Sequence, residues 1–232
     1  MSGARAMVLA AGRGERMRPL TDRCPKPLLE VRGRPLIAWH LDALAAAGHA
    51  EVAVNTAWLG EQIEQRFGPE HRGLRIRYSH EGRDFGGALE TAGGILRALP
   101  LLDEAFWIVA GDVYVPGFEF SPAAYERFAA GRQLAHLYFV PNPPHHSRGD
   151  FALRPDGLAA TEGEPRYTYS TIGLYRRSFF AGLPAGNPEG LKAALAPLLR
   201  AAMDNGQVSA ELYTGPWTDV GTPERLAQLN AP

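Results

Sequence analysis

Short apolar runs alternate with amphipathic segments along the first half of the chain, and this change of period predicts strands and helices in turn. The apolar run 6–10 predicts a strand that leads into a glycine-rich loop. The segment 35–47 has apolar residues at helical spacing, starts with proline and is followed by glycine, which predicts a helix. The same reasoning predicts further strands over 51–55, 74–79 and 106–110, and helices over 58–67 and 89–99.

The second half of the chain has a less regular pattern. Strands are predicted over 133–140, 151–154 and 167–175, and a helix over 191–203, whose middle is weakened by Pro197. Strands that alternate with helices imply a mostly parallel sheet covered on both faces. No repeat or linker divides the chain, so we expect one α/β domain over 1–232, with a ligand beyond the carboxyl ends of the strands, in the loops after Ala10, Ser79 and Ala110.

Composition and charge exclude several classes of function. The chain has 24 Lys+Arg against 25 Asp+Glu, so no strong field favours nucleic acid or an anionic membrane. It has no apolar run of about 20 residues, and its single cysteine, Cys24, excludes an intramolecular disulfide and a Cys-rich zinc site. We therefore expect a cytoplasmic protein. Only Lys26 and Lys192 among the basic residues are lysines, which marks two places where a compact ammonium is needed.

The loop after the first predicted strand carries the first candidate chemistry. In the run LAAGRGERMRP, Gly12 and Gly14 let the backbone approach a ligand, and exposed N–H groups can hold phosphate oxygens. Arg13, Arg16 and Arg18 bring three guanidinium groups to the same loop. The alternative is a solvated turn with surface arginines, and the run is neither a Rossmann fingerprint nor a Walker A loop.

A carboxylate follows the buried-type strand 106–110. Asp112 at this position can hold a divalent cation, and magnesium commonly takes one or two carboxylates together with phosphate oxygens and water. A second carboxylate is therefore needed, and Asp219 is the candidate.

Four segments resemble those of one family. The run LAAGRGERMRP fills every fixed position of L-x-A-G-x-G-x-R-[ML]-x-P, and it is followed by PKPL at 25–28, LETAGG at 89–94 and WTDVGTP at 217–223. This set is similar to the sugar-nucleotide pyrophosphorylases, which join an NTP to a sugar 1-phosphate. The resemblance implies a Rossmann-like, GT-A-like nucleotidyltransferase domain with a mixed, mostly parallel central sheet flanked by helices.

The resemblance also implies residue roles. Arg16 and Lys26 are the catalytic residues, and Asp112 and Asp219 hold Mg²⁺. The nucleotide contacts come from the N-terminal half, at Leu9, Ala10, Ala11, Gly12, Arg13, Gly14, Glu15, Arg16, Lys26, Thr91, Gly93, Gly94 and Asp112. Many relatives carry a C-terminal β-helix domain, which we do not expect here.

A further motif concerns the sugar 1-phosphate, which is the acceptor of the nucleotidyl group. The run NPPHHSRGDF at 142–151, with NTAWLG at 55–60, resembles a subgroup that transfers uridylyl from UTP to N-acetylmuramate 1-phosphate in peptidoglycan recycling. The adjacent histidines lack metal-ligand spacing, which favours loop surface. No lysine stands in the run EGEPR at 162–166, where many relatives have one, so Lys192 becomes the candidate cation. The implied sugar-phosphate residues, in the C-terminal half, are Asn142, Arg148, Gly149, Asp150, Gly173 and Lys192.

Three alternatives stay open. The same chemistry could serve other substrates, such as guanylyl transfer to mannose, heptose or glucose 1-phosphate or cytidylyl transfer to a phosphorylated alcohol, because the long stretch 83–88 leaves base choice open. A non-catalytic sugar-nucleotide sensor is a second alternative, although the loop residues are intact. A glycosyltransferase would be expected to show Asp-x-Asp, which the chain lacks. The expected assembly is a monomer or small homo-oligomer.

Overall fold

The computed structural model describes residues 4–184 and 186–231. Its strands are β1 (Ala4–Ala10), β2 (Glu30–Val31), β3 (Arg34–Pro35), β4 (Glu51–Thr56), β5 (Glu70–His71), β6 (Leu74–His80), β7 (Leu102–Ala110), β8 (Val113–Tyr114), β9 (Ala135–Val140), β10 (Phe151–Leu153), β11 (Ala159–Ala160), β12 (Arg166–Arg176), β13 (Val208–Leu212) and β14 (Thr218–Asp219). Its helices are α1 (Leu36–Ala46), α2 (Gly60–Phe67), α3 (Glu81–Phe85), α4 (Glu90–Ala98), α5 (Pro122–Ala130), α6 (Leu195–Asp204) and α7 (Pro223–Asn230).

Ten of these strands form one mixed sheet with β1 near its centre. The order along it is β11-β10-β12-β7-β1-β4-β6-β5, and β9 and β13 extend it beyond β12. β1 is parallel to both β4 and β7, and β4 is parallel to β6, whereas β12 is antiparallel to β7 and to β9. The predicted single α/β domain with a mixed, mostly parallel sheet is confirmed within the described residues. Residues 1–3, 185 and 232 of the predicted domain lie outside them.

Successive side chains of β1 point to opposite faces of the sheet, and each face has its own cluster of buried hydrophobic residues. Met7 points into one cluster with Leu96 of α4 and Leu199 of α6, while Val8 points into the other with Leu41 of α1 and Phe128 of α5. Helices therefore cover both faces, as the pattern of the sequence predicts. Each predicted strand and helix of the first half is found, with ends shifted by a few residues; the helix predicted from residue 58 begins at Gly60.

The helix predicted over 191–203 is wrong at its start. Residues 191–194 are irregular, because Ala193 pairs with the start of α4 through its backbone: its N–H donates to Leu89 O, and its carbonyl accepts from the N–H groups of Ala92 and Gly93. Helix α6 begins at Leu195, so Pro197 lies in the first turn, where a missing N–H costs no helical hydrogen bond. Lys192 thus lies before the helix and is exposed.

The sequence pattern does not predict three of the helices, α3, α5 and α7, and two of these begin at a capping side chain. Ser121 accepts a hydrogen bond from the N–H of Ala124 at the start of α5, and Thr222 accepts one from the N–H of Arg225 at the start of α7. Both are followed by proline at the first helical position, a combination that favours a helix start. Within the described part of the chain, no helix is long and apolar enough to span a bilayer.

A buried histidine ties α1 to the strand after the candidate metal carboxylate. His40 is 1 % exposed, and its Nε2 lies 2.9 Å from the carbonyl oxygen of Val113 in β8. Burial lowers the pKa of His40 to about 4. The imidazole is therefore neutral near pH 7, and it donates its Nε2–H to that carbonyl.

This histidine makes stability depend on pH. Its pKa is about 6.5 when unfolded and about 4 when folded, so its contribution is complete above pH 6.5 and is lost as the pH falls towards 4. We expect this group to lower the free energy of unfolding by about 2–3 kcal/mol between pH 7.5 and pH 4.5. Urea unfolding of the wild type and of His40→Gln at both pH values measures it. An equal pH dependence in the two proteins would refute it.

Candidate active site

A central cavity of about 500 Å³ opens at the carboxyl ends of the parallel strands. Residues 9–12 line it at the end of β1, Glu81 lies after β6, and Asp112 follows β7. Opposite them, Phe151, Tyr169 and the first turns of α6 form the other wall. The three loops predicted to surround a ligand therefore meet in one cavity.

Lys26 and Asp112 form an ion pair that faces this cavity. Lys26 is 8 % exposed, and its Nζ lies 2.5 Å from Asp112 Oδ2. Gly14 packs over the lysine stem in a left-handed conformation with φ of 67°, and a Cβ there would lie 3.1 Å from Lys26 Cβ. The glycine of the first loop thus fixes the predicted catalytic lysine against the predicted metal carboxylate.

Asp219 is brought to Asp112 by backbone pairing. The short strands β8 and β14 place Asp219 opposite Val113, and the N–H of Val220 donates to the carbonyl of Asp112 at 2.9 Å. The Asp219 carboxylate contacts the Arg225 guanidinium, and its Oδ1 lies 2.9 Å from His145 Nε2. The two predicted metal ligands are therefore neighbours, although they are distant in sequence.

The donor set suits a divalent cation that is shared with phosphate. Among residues 4–184 and 186–231, no group of three or more His, Cys, Asp or Glu side chains forms a metal cage. Two carboxylates are what Mg²⁺ commonly takes from a protein when phosphate oxygens and water fill its other positions. Asp112 and Asp219 thus fit a cation bound together with a phosphorylated ligand.

The predicted nucleotide residues divide into two groups. Those that line the central cavity are Leu9, Ala10, Ala11, Gly12, Lys26, Thr91 and Asp112. Arg13 lies beside a neighbouring depression, where its guanidinium carbon is 3.8 Å from the Trp58 ring centroid and its nitrogens donate to Thr21 O and Asp22 Oδ1. Glu15 and Arg16 are exposed in a single 3₁₀ turn. Arg16 as a phosphate contact stays a prediction.

Gly93 and Gly94 of α4 are buried against protein groups. A Cβ on Gly93 would lie 2.4 Å from Leu191 O, and one on Gly94 would lie 2.4 Å from Glu81 Oε1. The N–H of Gly93 already donates to Ala193 O. These contacts account for both glycines by close packing, and their contact with the nucleotide stays a prediction.

The predicted acceptor loop, residues 142–151, is held in place by hydrogen bonds that its side chains make. Asn142 Oδ1 accepts from Thr168 Oγ1, and a Cβ on Gly149 would lie 2.8 Å from that same oxygen. Asp150 lines the central cavity, with Oδ1 3.0 Å from His146 Nε2 and Oδ2 accepting from the N–H of Tyr169. Of the predicted sugar-phosphate residues, Asp150 alone lines the cavity in the described structure.

The other three acceptor residues lie elsewhere. Gly173 is buried in β12, where a Cβ would lie 2.9 Å from His136 O. Arg148 and Lys192 are exposed and do not line the cavity. Their contact with a sugar phosphate stays a prediction.

The sequence pattern does not predict a buried hydrogen-bond network that borders the cavity. The N–H of Ala10 donates to Asn55 Oδ1 at 2.8 Å, Asn55 Nδ2 donates to Glu81 Oε1 at 2.6 Å, and the N–H of Leu89 donates to Glu81 Oε2 at 2.7 Å. Glu81 is fully buried, and burial raises the pKa of its carboxyl above the ordinary value. The network links the glycine loop to the start of α4. Its signal in the sequence is a polar residue at the end of the predicted strand 51–55 and another two residues after the predicted strand 74–79.

Replacing Glu81 by glutamine should loosen both segments. An amide offers one acceptor oxygen where the carboxylate offers two, so its NH₂ group faces a backbone or side-chain donor. We expect the free energy of unfolding to fall by about 1–3 kcal/mol and the KM for the nucleotide to rise. Urea unfolding and steady-state kinetics measure these changes, with exposed Glu126→Gln as control. Wild-type stability and KM in Glu81→Gln would contradict this role.

Comparisons with known proteins show the family of the chain. The family model described as MobA-like NTP transferase domain matches residues 6–209. The N-acetylmuramate alpha-1-phosphate uridylyltransferase of Neisseria meningitidis serogroup B is 48% identical over 98% of this chain and 97% of its own. The protein of the same name from Caulobacter vibrioides is 35% identical over 94% of this chain and 92% of its own.

The fold also matches a solved structure. A protein described as a glucose-1-phosphate thymidylyltransferase from Bacillus anthracis superimposes with a TM-score of 0.80, covering 97% of this chain and 93% of that one at 19% identity. That likeness shows the nucleotidyltransferase fold predicted from the motifs. The chain belongs to the family of MobA-like NTP transferases.

Proposed function

We propose that this enzyme transfers the uridylyl group of UTP to N-acetylmuramate 1-phosphate, giving the UDP-sugar and pyrophosphate, and that it serves peptidoglycan recycling in the cytoplasm. The Lys26–Asp112 pair in the central cavity carries the proposal, in a chain 48% identical to a uridylyltransferase of that name. We propose that the N-terminal half binds the nucleotide and the C-terminal half the sugar phosphate, in a monomer or small homo-oligomer.

The chemistry needs positioning and charge stabilisation. An oxygen of the sugar 1-phosphate attacks the α-phosphorus of UTP in line, the bond from that phosphorus to the β-phosphate oxygen breaks, and pyrophosphate leaves with the electron pair. The attacking phosphate is already ionised at neutral pH, so no general base is required. Lys26 offsets charge on the triphosphate from a buried position, with Arg16 as the second cation.

Enzymes of this family generally use a divalent metal. We propose Mg²⁺, held by Asp112 and Asp219. When bound, the cation supplies positive charge to the phosphate oxygens. Arg225 and His145 fix the orientation of the Asp219 carboxylate beside Asp112.

A substrate panel tests the proposal. Pyrophosphate release is measured with Mg²⁺ for UTP, GTP, CTP and dTTP, each against the 1-phosphates of N-acetylmuramate, glucose and mannose. We expect turnover with UTP and the muramate ester. Turnover with another pair would replace the substrate and keep the mechanism, whereas nucleotide binding without turnover would favour a sensor.

A further inference from the structure

Two cationic side chains line the central cavity, and they differ in their surroundings. Lys26 is paired with Asp112. Arg200 of α6 is exposed, and within residues 4–184 and 186–231 no carboxylate lies within 4.0 Å of its guanidinium. Its guanidinium carbon instead lies 5.3 Å from the centroid of the Phe151 ring. Arg200 is therefore available to an anionic ligand.

The position of Arg200 separates it from the triphosphate side. Phe151 begins β10, which is next to β12, and β7 lies between β12 and β1. With neighbouring strands about 4.8 Å apart, the Phe151 side of the cavity lies roughly 10–15 Å from the glycine loop after β1. A nucleotide on that loop and Lys26 therefore leaves the Arg200 wall to the acceptor sugar.

The wall around Arg200 is mostly apolar. Phe151, Leu195 and Leu199 line it. The carboxylate of Asp150 accepts from the N–H of Tyr169 and contacts His146, so it is already partnered. The surface therefore suits a small apolar group that carries a negative charge next to it.

We infer that Arg200 binds the carboxylate of the lactyl ether of N-acetylmuramate 1-phosphate and selects this ester over N-acetylglucosamine 1-phosphate. This inference rests on the proposed function. The two esters differ by the lactyl group, a methyl and a carboxylate on one carbon. The planar guanidinium matches a carboxylate with two parallel N–H donors, and Phe151 supports its face. The apolar wall takes the methyl.

Arg200→Ala tests this inference through the ratio of two substrates. We expect kcat/KM for the muramate ester to fall about tenfold, mostly through KM, while the value for N-acetylglucosamine 1-phosphate and the KM for UTP stay unchanged. Arg200→Glu should lower the muramate value further, because it places like charges together. Arg66→Ala, an exposed arginine of α2 outside the cavity, is the matched control.

Binding separates this inference from the proposed function. Calorimetry gives the dissociation constants of UDP-N-acetylmuramate and UDP-N-acetylglucosamine for the wild type and Arg200→Ala, without turnover. An unchanged ratio of the two constants in Arg200→Ala, or the absence of a wild-type preference for the muramate compound, overturns the role of Arg200. A wild type that turns over neither sugar phosphate with UTP overturns the proposed function, and the binding ratio still decides the role of Arg200.

Discussion

Lys26→Met is expected to lower kcat by about 1000-fold while the protein stays folded. Methionine is one heavy atom shorter but keeps an unbranched stem that packs under Gly14 as that of lysine does, and it carries no charge towards the triphosphate. Asp112 loses its partner at modest cost, because its side chain is 40% exposed and water can solvate it. Steady-state pyrophosphate release and a thermal melt measure the two effects.

The control for this variant is Arg75→Met, which removes an exposed cation on β6. We expect wild-type kcat in the control. A Lys26→Met protein that melts like the wild type and retains its kcat would remove Lys26 from the mechanism. Lys26→Arg is expected to retain only part of the activity, because the planar guanidinium is larger than the ammonium and Gly14 packs closely on the stem that carries it.

Asp219→Asn is expected to lower activity at least 100-fold and to raise the Mg²⁺ concentration needed for half-maximal rate. The amide keeps one oxygen for Arg225 but removes one of the two negative charges at the proposed metal site. Chelation of divalent ions should abolish wild-type activity, and added Mg²⁺ should restore it. A Mg²⁺ titration of each variant measures this.

Asp204→Asn, at the exposed end of α6, is the matched control, and its Mg²⁺ requirement should equal that of the wild type. If Asp219→Asn needs no more Mg²⁺ than the wild type, Asp219 is not a metal ligand. The contact with His145 and Arg225 would then explain its position by itself.

The strand pattern predicts where the glycine loop and Asp112 lie, because both follow continuous apolar runs and parallel strands bring their carboxyl ends together. Lys26 does not follow a strand directly, and its prediction rests on the resemblance of PKPL at 25–28 to the family motif. The neighbourhood of Asp112 and Asp219 depends on β8 and β14, which are two residues each and leave no period in the sequence.

The second half of the site depends on tertiary contacts, which the local sequence pattern does not contain. Residues 191–194 have helical spacing but leave the helix to pair with the start of α4, and no local pattern contains that pairing. Arg200 is one of many arginines in the sequence, and only the fold places it on the cavity. The Asn55–Glu81 bond joins the end of β4 to the first residue of α3, which directly follows the neighbouring strand β6, and the sequence does not pair these strands by itself.

The most direct test of the proposed reaction traces the phosphate oxygen atoms of the sugar 1-phosphate with an isotope. The enzyme is incubated with UTP, Mg²⁺ and N-acetylmuramate 1-phosphate that carries ¹⁸O in its three terminal phosphate oxygens. The masses of the products are then measured by mass spectrometry. In-line attack by the sugar phosphate predicts UDP-N-acetylmuramate that retains all three labelled oxygens, together with unlabelled pyrophosphate. Label in the pyrophosphate, or no UDP-N-acetylmuramate at all, would contradict the account.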